Sequence, residues 1–392
     1  MIETKFKDSE LGPIPEDWEV KSVKDFSNIV TGATPSTDNP NYWGGNIRWM
    51  SSGELNNKII YDVIGRITQD GYNSASTHML PVDCVLIGLA GQGKTRGTAA
   101  INKVPLCTNQ SIGAILPCNT VNPHYLYHFI DNQYLNLRAL SSGDGGRGGL
   151  SKTLLLNFKI ILSPHISEQE RIAEALSDVD ALIKELDALI EKKRMVLKAT
   201  MQDLLTARRR LPAFSEPWQE DIIDNVCSVT TGASNSQDQV ANGRFPFYIR
   251  SSSIVYSEKF LFDCEGVITI GDGQIGKVFH YVNGKFDLHQ RCYLMYNFKG
   301  IDAKFFYYIF STFFYDRVIS LSAKATVDSV RRSMITKMKI FVPYSLSEQR
   351  AIAEILSDMD AEIEELEKKK EKYTSIRQGM MQQLLTGKIR LI

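Results

Sequence analysis

Apolar side chains recur at alternating steps of four and three residues along two long stretches of this chain. Residues 167–211 and 347–391 align without a gap at a shift of 180 positions, and about half of the aligned residues are identical. The apolar positions of the seam are Ile172, Leu176, Val179, Ile183, Leu186 and Ile190 in the first copy and Ile352, Leu356, Met359, Ile363 and Leu366 in the second. Such a heptad pattern is typical of a coiled coil. It predicts two long spacer helices, residues 164–211 and 344–392.

The order of charges along these helices predicts how they pair. Each copy begins acidic, as at Glu168 and Glu348, and ends basic, as at Arg210 and Arg390. Only an antiparallel pair sets the acidic start of each helix against the basic end of the other. We therefore expect an intramolecular antiparallel coiled coil. The alternative is that each helix packs separately on its own globular domain.

The segments outside the helices also form a repeat. Trp18 and Trp218 begin a second alignment, in which Thr31-Gly32-Ala33 matches Thr231-Gly232-Ala233 at a shift of 200. The shift later falls to 180, so the first segment holds about twenty additional residues between positions 39 and 105. The sequence predicts two similar globular domains, residues 1–163 and 212–343, each followed by a long helix, with a pseudo-twofold internal repeat.

Short, often β-branched apolar runs predict the strands of these domains. They are residues 59–64, 84–87, 112–116 and 158–162 in the first domain and 267–270, 293–296 and 338–342 in the second. Aromatic-rich stretches at residues 123–140 and 303–321 predict one helix in each domain. The fold class is therefore α+β, with a mixed or antiparallel sheet in each domain.

Composition argues against some classes of protein but does not identify the function. The chain is 43% hydrophobic and has zero formal net charge, which argues against a free-standing nucleic-acid binder. It has no apolar run of membrane-spanning length, and a polar amino terminus unlike a signal peptide, so we expect a cytoplasmic protein without membrane contact. The six cysteines lack metal-site spacing. We expect reduced thiols, no metal, no cofactor and no catalytic residues.

Residues 88–95 match the phosphate-binding pattern GxxxxGK followed by Thr, so an NTPase has to be considered. That mechanism needs a helix that begins at Lys94. The following residues include Gly97, β-branched side chains and Pro105, which are poor helix formers. We favour a glycine-rich loop that carries polar and basic side chains; an NTPase would require nucleotide binding that disappears on Lys94→Ala.

Comparable loops occur in both domains, and their side chains suit DNA. Glycine lets backbone approach a partner closely, Gln and Arg suit base edges, and Lys suits phosphates. The candidate DNA-binding residues are Thr31, Gln92, Lys94, Arg96, Arg147, Lys152, Thr231, Gln274, Lys277, Arg291, Lys324, Arg331 and Arg332. For any single residue, a solvated hairpin tip or a mobile linker remains the alternative.

The helix motifs resemble those of a known family, the DNA-specificity subunits of Type I restriction-modification enzymes. The resemblance is carried by Ser-Glu-Gln at residues 167–169 and 347–349, the Ile-Ala pairs that follow, and Leu-Leu-Thr at 204–206 and 384–386. The order of domain, helix, domain and helix is also similar over nearly the whole chain.

The resemblance implies a non-catalytic subunit that binds double-stranded DNA, two methyltransferase subunits and, in the full complex, restriction subunits. Each globular domain would be a target-recognition domain for one half of a bipartite, asymmetric site, and the helices would set the spacing. The chief alternative is a cytoplasmic coiled-coil scaffold that positions two unlike binding domains.

Overall fold

The computed structural model describes residues 4–91, 93–140, 148–322 and 329–392, without the side chain of Ser322. The chain divides into two compact units. The first unit comprises Met1–Leu186 and Lys369–Ile392, and the second comprises Asp187–Lys368. Each unit therefore holds a globular body, the first part of one long helix and the last part of the other.

The globular body of the first unit is built from twelve described strands and four described α-helices. The strands are β1 (Phe6–Lys7), β2 (Ile14–Pro15), β3 (Glu19–Ser22), β4 (Ile29–Thr31), β5 (Trp43–Met50), β6 (Ile59–Ile60), β7 (Arg66–Ile67), β8 (Val85–Gly88), β9 (Ala99–Asn102), β10 (Cys107–Thr108), β11 (Ile112–Ile115) and β12 (Lys159–Leu162). The helices are α1 (Gln69–Ser74), α2 (Pro123–Asn132), α3 (Tyr134–Leu140) and α4 (Lys152–Leu156). The first long helix, α5, follows at Ile166–Leu205.

The main sheet of the first unit has the strand order β4-β11-β8-β9-β6, antiparallel except for the β6–β9 pair. A second sheet, β10-β5-β7, also contains one parallel pair, β10–β5. The predicted mixed sheet is confirmed. The strand expected at residues 59–64 ends at Ile60, because the next residues form a turn in which Asp62 accepts hydrogen bonds from Arg48 and Arg66.

The second unit repeats this plan with fewer, longer strands. They are β13 (Trp218–Ile222), β14 (Ser228–Thr231), β15 (Phe245–Tyr248), β16 (Ile254–Ser257), β17 (Phe262–Ile270), β18 (Phe279–Leu288), β19 (Cys292–Tyr296) and β20 (Lys339–Pro343). The helices are α6 (Ile223–Val226), α7 (Ala303–Ser322), α8 (Arg332–Thr336) and the second long helix, α9 (Leu346–Leu384). The main sheet has the order β14-β19-β17-β18-β15-β16, antiparallel except for β15–β18.

The two units differ in the helix that packs on the main sheet of each. The sequence predicts one continuous helix in each domain. In the second unit it is continuous, and in the first it is divided into α2 and α3 at Gln133. Asn122 caps α2 by accepting hydrogen bonds from the backbone N–H groups of His124 and Tyr125, and Pro123 occupies its first turn.

The long helices pair antiparallel within each unit taken separately. In the second unit, Lys193 Nζ of α5 lies 2.6 Å from Glu362 Oε1 of α9. In the first unit, Arg377 of α9 donates to Asp180 of α5 and, at 3.1 Å, to Asp131 of α2. Every predicted seam residue is buried or half-buried. Lys193 of α5 and Arg377 of α9 are thus ion-paired across the helices.

The ends of the long helices also complete the globular cores. The start of α5, at Ile172 and Leu176, packs with the end of α9, at Met381 and Leu384, in the core of the first unit. In the second unit, the end of α5 and the start of α9 do the same. The long helices therefore both pair with each other and pack on the globular bodies. The sequence analysis treated these two arrangements as alternatives.

A buried carboxylate fixes each of these helix junctions. Glu168, 1% exposed, accepts hydrogen bonds from Trp18 Nε1 at 3.2 Å, Ser163 Oγ at 2.6 Å and the Arg390 guanidinium at 2.6 and 2.9 Å. In the second unit, Glu348 accepts from Arg210 at 2.7 and 3.1 Å and from Trp218 at 3.3 Å. The arginine in the segment that follows each long helix neutralises the glutamate at the start of the other helix.

The next residue of each helix is a buried glutamine that ties the helix to the loop before α2 or α7. Gln169 Oε1 accepts from the Asn122 backbone N–H at 2.8 Å, and its amide donates to the Ser163 carbonyl at 2.8 Å. Gln349 makes the same two contacts, with Asp302 and Pro343. The repeated Glu-Gln pair is therefore a structural anchor.

Replacement of Arg390 by alanine should lower the free energy of unfolding of the first unit by about 3 kcal/mol, because it leaves the buried carboxylate of Glu168 without its cation. Urea unfolding of the full chain, followed by tryptophan fluorescence, measures this change. The matched control is Lys388→Ala, which removes an exposed cation two residues earlier. Equal losses in the two variants would contradict the assignment.

This stabilisation should also depend on pH. Burial raises the pKa of Glu168, but hydrogen bonds from Arg390, Ser163 and Trp18 outweigh burial, so the pKa lies below its ordinary value. A group with a lowered pKa stabilises the fold above its unfolded pKa, and the contribution is lost as pH falls through the folded pKa. The difference between the wild type and Arg390→Ala should therefore shrink on acidification; a constant difference would contradict this.

Candidate nucleic-acid interface

Several strand ends of the first unit meet at one edge of its main sheet. Thr31, the last residue of β4, pairs with Gly113 of β11, and Gly88, the last residue of β8, pairs with Ile112. The loop before β11 is tied to the loop after β4, because Thr34 Oγ1 donates to Gln110 Oε1 at 2.7 Å. We call this edge, with the residues that extend from its strand ends, the loop edge of the first unit.

Backbone hydrogen bonds hold the glycine-rich loop and the segment before α4 on this edge. The Leu89 N–H donates to the Ser111 carbonyl at 2.8 Å, and the Leu150 N–H donates to the Leu89 carbonyl at 2.8 Å. The segment at residues 148–152 therefore lies beside the end of β8. It brings Lys152, an exposed residue in the first turn of α4, to the loop edge.

The glycine-rich loop connects two antiparallel strands, β8 and β9, and its described residues 93–98 form no helix at Lys94. This arrangement lacks the helix amino terminus that a phosphate-binding NTPase loop needs. Lys94 is exposed, and its carbonyl accepts hydrogen bonds from Thr98 Oγ1 at 2.7 Å and Tyr134 OH at 3.2 Å. Arg96 is half-buried and donates to the Gly148 carbonyl. Arg96 therefore braces the loop, whereas Lys94 faces solvent.

The second unit has the same edge in the same framework. Thr231, exposed at the end of β14, pairs with Tyr293 of β19. The Gly271 N–H donates to the Arg291 carbonyl at 2.7 Å, and the Val330 N–H donates to the Gly271 carbonyl at 2.7 Å. These bonds match those of Leu89, Ser111 and Leu150 in the first unit. The strand ends and the residues that extend from them form the loop edge of the second unit.

Most candidates of the second unit lie on this edge. Gln274 and Lys277 are exposed in the glycine-rich loop, and the Lys277 ammonium lies 5.6 Å from the centre of the Tyr315 ring. Arg331 and Arg332 are exposed at the start of α8. Three candidates, Gln92, Arg147 and Lys324, lie outside the described residues.

Sequence reasoning missed several polar residues of the second loop edge. Arg250 follows β15, and its guanidinium lies 3.3 Å from Asp272 Oδ2; Arg291 lies 3.6 Å from the same oxygen. His289 precedes Arg291 and is 4% exposed. The sequence contained a signal for this region. His289-Gln290 aligns with Asn109-Gln110, where the shift between the two domains becomes 180.

The histidine on this edge is a neutral hydrogen-bond acceptor. Burial and the nearby positive charge of Arg250 lower the pKa of His289 below its ordinary value. Its Nδ1 accepts the backbone N–H of Arg291 at 3.0 Å. The imidazole therefore fixes the backbone direction at Arg291.

The exposed side chains of both loop edges carry hydrogen-bond donors and positive charges. Within the described ranges, no group of three or more His, Cys, Asp or Glu side chains is arranged to hold a metal ion. In the same ranges, no helix is long and apolar enough to cross a membrane. Exposed Lys94 and Lys152 in the first unit, and Lys277, Arg331 and Arg332 in the second, give both loop edges a positive character.

Comparison with known proteins identifies the family. The model of the Type I restriction modification DNA specificity domain matches residues 15–192 and again residues 215–373. The Type I restriction enzyme MjaIX specificity subunit of Methanocaldococcus jannaschii is 29% identical over 262 residues, which cover 62% of this chain and 60% of that protein. The putative MjaX specificity subunit of the same organism is 24% identical over 424 residues and covers 99% of this chain and 97% of its own.

A solved structure shares the fold. The S subunit of a Type I restriction-modification system from M. genitalium superposes with a TM-score of 0.69 at 15% identity, and the match covers 94% of this chain and 96% of that one. The double match of the family model falls on the two repeats that the sequence and the fold both display. This chain belongs to the Type I restriction modification DNA specificity domain family.

Proposed function

We infer that this protein is the DNA-binding specificity subunit of a Type I restriction-modification complex, and that each globular domain reads one half of a bipartite, asymmetric site. One observation carries the inference: the two units hold the same loop edge on the same hydrogen-bonded framework, but with different side chains. Ser111 of the first unit corresponds to Arg291 of the second, for example. Two readers with one framework and unlike contacts suit two unlike half-sites.

The functional domains would follow the boundaries set by the repeat, with recognition domains at residues 1–163 and 212–343 and spacer segments, which contain α5 and α9, at 164–211 and 344–392. The candidate contacts on the loop edges would bind bases and phosphates of double-stranded DNA. The chain itself would be non-catalytic, and modification and cleavage would belong to its partner subunits.

The long helices would set the spacing between the half-sites and dock two methyltransferase subunits, with restriction subunits joining the full complex. The repeat supports two equivalent docking positions, because the helix motifs agree more closely between the copies than the globular domains do. Zero net charge is consistent with partner subunits that supply much of the phosphate contact.

Lys277→Ala should weaken DNA binding by the complex with its methyltransferase to a similar extent on all duplex sequences, and it should lower the slope of log affinity against log salt by about 1. The physical reason is loss of one phosphate contact. Gel shifts over a series of salt concentrations measure both quantities. Lys299→Ala is the matched control, since Lys299 is exposed in the same unit and follows β19, at the opposite end of that strand from the loop edge.

The same gel shifts test the function as a whole. The wild-type complex should prefer one duplex from a random pool. A complex that binds all duplexes alike would favour the scaffold alternative.

Insertion of one heptad into each long helix, after Leu186 in α5 and after Lys368 in α9, should lengthen the gap between the half-sites by about three base pairs. Seven helical residues add about 10 Å, and DNA rises about 3.4 Å per base pair. Sequencing of methylated DNA from cells with the complete system measures the gap. The half-sites should stay unchanged.

The control is the insertion in α5 alone, which shifts α5 against α9 by one heptad and removes pairs such as Lys193–Glu362 from register. This variant should lose specific methylation. An unchanged gap in the double insertion, or altered half-sites, would contradict the spacer role.

A further inference from the structure

Two arginines share one carboxylate on the loop edge of the second unit. Arg250 and Arg291 come from separate strand ends, and both lie within 3.6 Å of Asp272 Oδ2. The side chain of Asp272 is only 18% exposed, whereas those of Arg250 and Arg291 are 49% and 60% exposed. The Asp272 carboxylate is therefore largely buried in the loop edge, whereas the two guanidinium groups are exposed to solvent.

The backbone holds Asp272 in place from two sides. The preceding residue, Gly271, donates to the Arg291 carbonyl and accepts from the Val330 N–H, both at 2.7 Å. A Cβ atom on Gly271 would lie 2.7 Å from the Arg291 carbonyl oxygen, so only glycine allows this approach. Asp272 itself forms a β-bridge with Ser329.

The two arginines are also attached to fixed backbone. Arg250 lies two residues after Tyr248, whose carbonyl accepts the His289 N–H at 3.0 Å. Arg291 lies two residues after His289, whose ring accepts the Arg291 N–H. The three side chains therefore converge through one continuous set of backbone contacts.

The chemistry of this cluster favours a base edge over a phosphate. A guanidinium has five N–H donors in a rigid fork, so contact with one carboxylate oxygen leaves a pair of donors available for a ligand. The shared carboxylate restricts both side chains and lowers the cost of ordering them on binding. It also repels phosphate, which makes the pair a poor choice for backbone binding. Two parallel donors of arginine match O6 and N7 of guanine in the major groove.

The first unit differs at the corresponding position. Ser111, which occupies the place of Arg291, is a short hydroxyl residue, and its neighbour Gln110 is held by Thr34. The arginine pair is therefore particular to the second unit. Its effect should be confined to one half of the DNA site.

We propose that Arg250 and Arg291, positioned by Asp272, read guanine in the half-site bound by the second unit. The proposal rests on the DNA-binding function inferred above and assigns to that function a base and three residues. Arg250 and Arg291 contact the base, and Asp272 is a positioning residue that makes no base contact of its own.

The test compares the methylated motifs produced in cells by complete systems that contain Arg250→Ala, Arg291→Ala or Arg291→Lys. Both alanine variants should relax the motif at guanine positions of the same half, by on the order of 10-fold in preference over other bases. The other half should remain unchanged and serves as an internal control. Arg291→Lys should behave like Arg291→Ala, because an ammonium lacks the fork.

Asp272→Asn separates positioning from charge. If the arginines read guanine, loss of the carboxylate should reduce preference for guanine in that half while leaving the other half intact. If the arginines bind phosphate, removal of a negative charge should instead strengthen binding to all duplexes in a gel shift. The matched control is Arg244→Ala, which removes an exposed arginine of the same unit that pairs with Glu258.

Besides uniformly stronger binding by Asp272→Asn, three results would overturn the proposal: full activity of Arg291→Lys, equal weakening of both halves, or a relaxed half in which the affected position is not a guanine. Thermal unfolding of each complex identifies a variant that fails to fold, and Arg291→Lys then serves in place of Arg291→Ala. Failure of the underlying function is distinguishable, since the wild-type system would then yield no two-part motif at all.

Discussion

The architecture depends on a buried ion pair that is made twice, each time between the start of one long helix and the segment that follows the other. Glu168 and Glu348 are almost fully removed from water, and an isolated carboxylate in that position is costly. The cation comes from Arg390 and Arg210 respectively, so the charge is neutralised only when the helices run antiparallel. Trp18 and Trp218 donate to the same carboxylates, which connects the helix pair to each globular body.

This constraint explains why the helices repeat more faithfully than the globular domains. Glu168 meets partners from the globular body and from the segment that follows the other helix, so a change there disturbs several contacts at once. Exposed side chains on the loop edges are less constrained, because the framework there is held mainly by backbone hydrogen bonds. Ser111 and Arg291 can therefore differ although their carbonyls accept the same bond. A fixed framework with exchangeable side chains is well suited to a recognition protein.

The sequence predicted the elements that depend on local pattern. Heptad spacing predicted the long helices, and the order of charges predicted that they pair antiparallel. Runs of β-branched residues predicted most of the strands. These signals come from residues that are close in the chain. The end of the predicted strand at Ile60 and the break in the predicted helix at Gln133 were not expected from the sequence. The strand gives way to a turn closed by Asp62 with Arg48 and Arg66, and after the break Tyr134 contacts the loop at Lys94.

The residues of the candidate interface were predicted less completely for a related reason. Loop composition indicated Lys94, Lys277 and Arg291, which stand beside glycines or repeat matches. Arg250 and Asp272 gave no such signal, because the fold brings them to Arg291 from separate strand ends. The partnership of Glu168 with Arg390, 222 positions apart, was visible only as a general order of charge. Contacts between segments that are distant in the chain can be identified only once the fold is known.

The most direct test of this account is a genome-wide map of DNA methylation in a host that expresses the complete system. Two unlike readers on a fixed pair of helices predict one motif with two different halves, separated by a gap of constant length and unspecified sequence. A motif without two parts, a motif with two identical halves, or a gap that varies from site to site would contradict it.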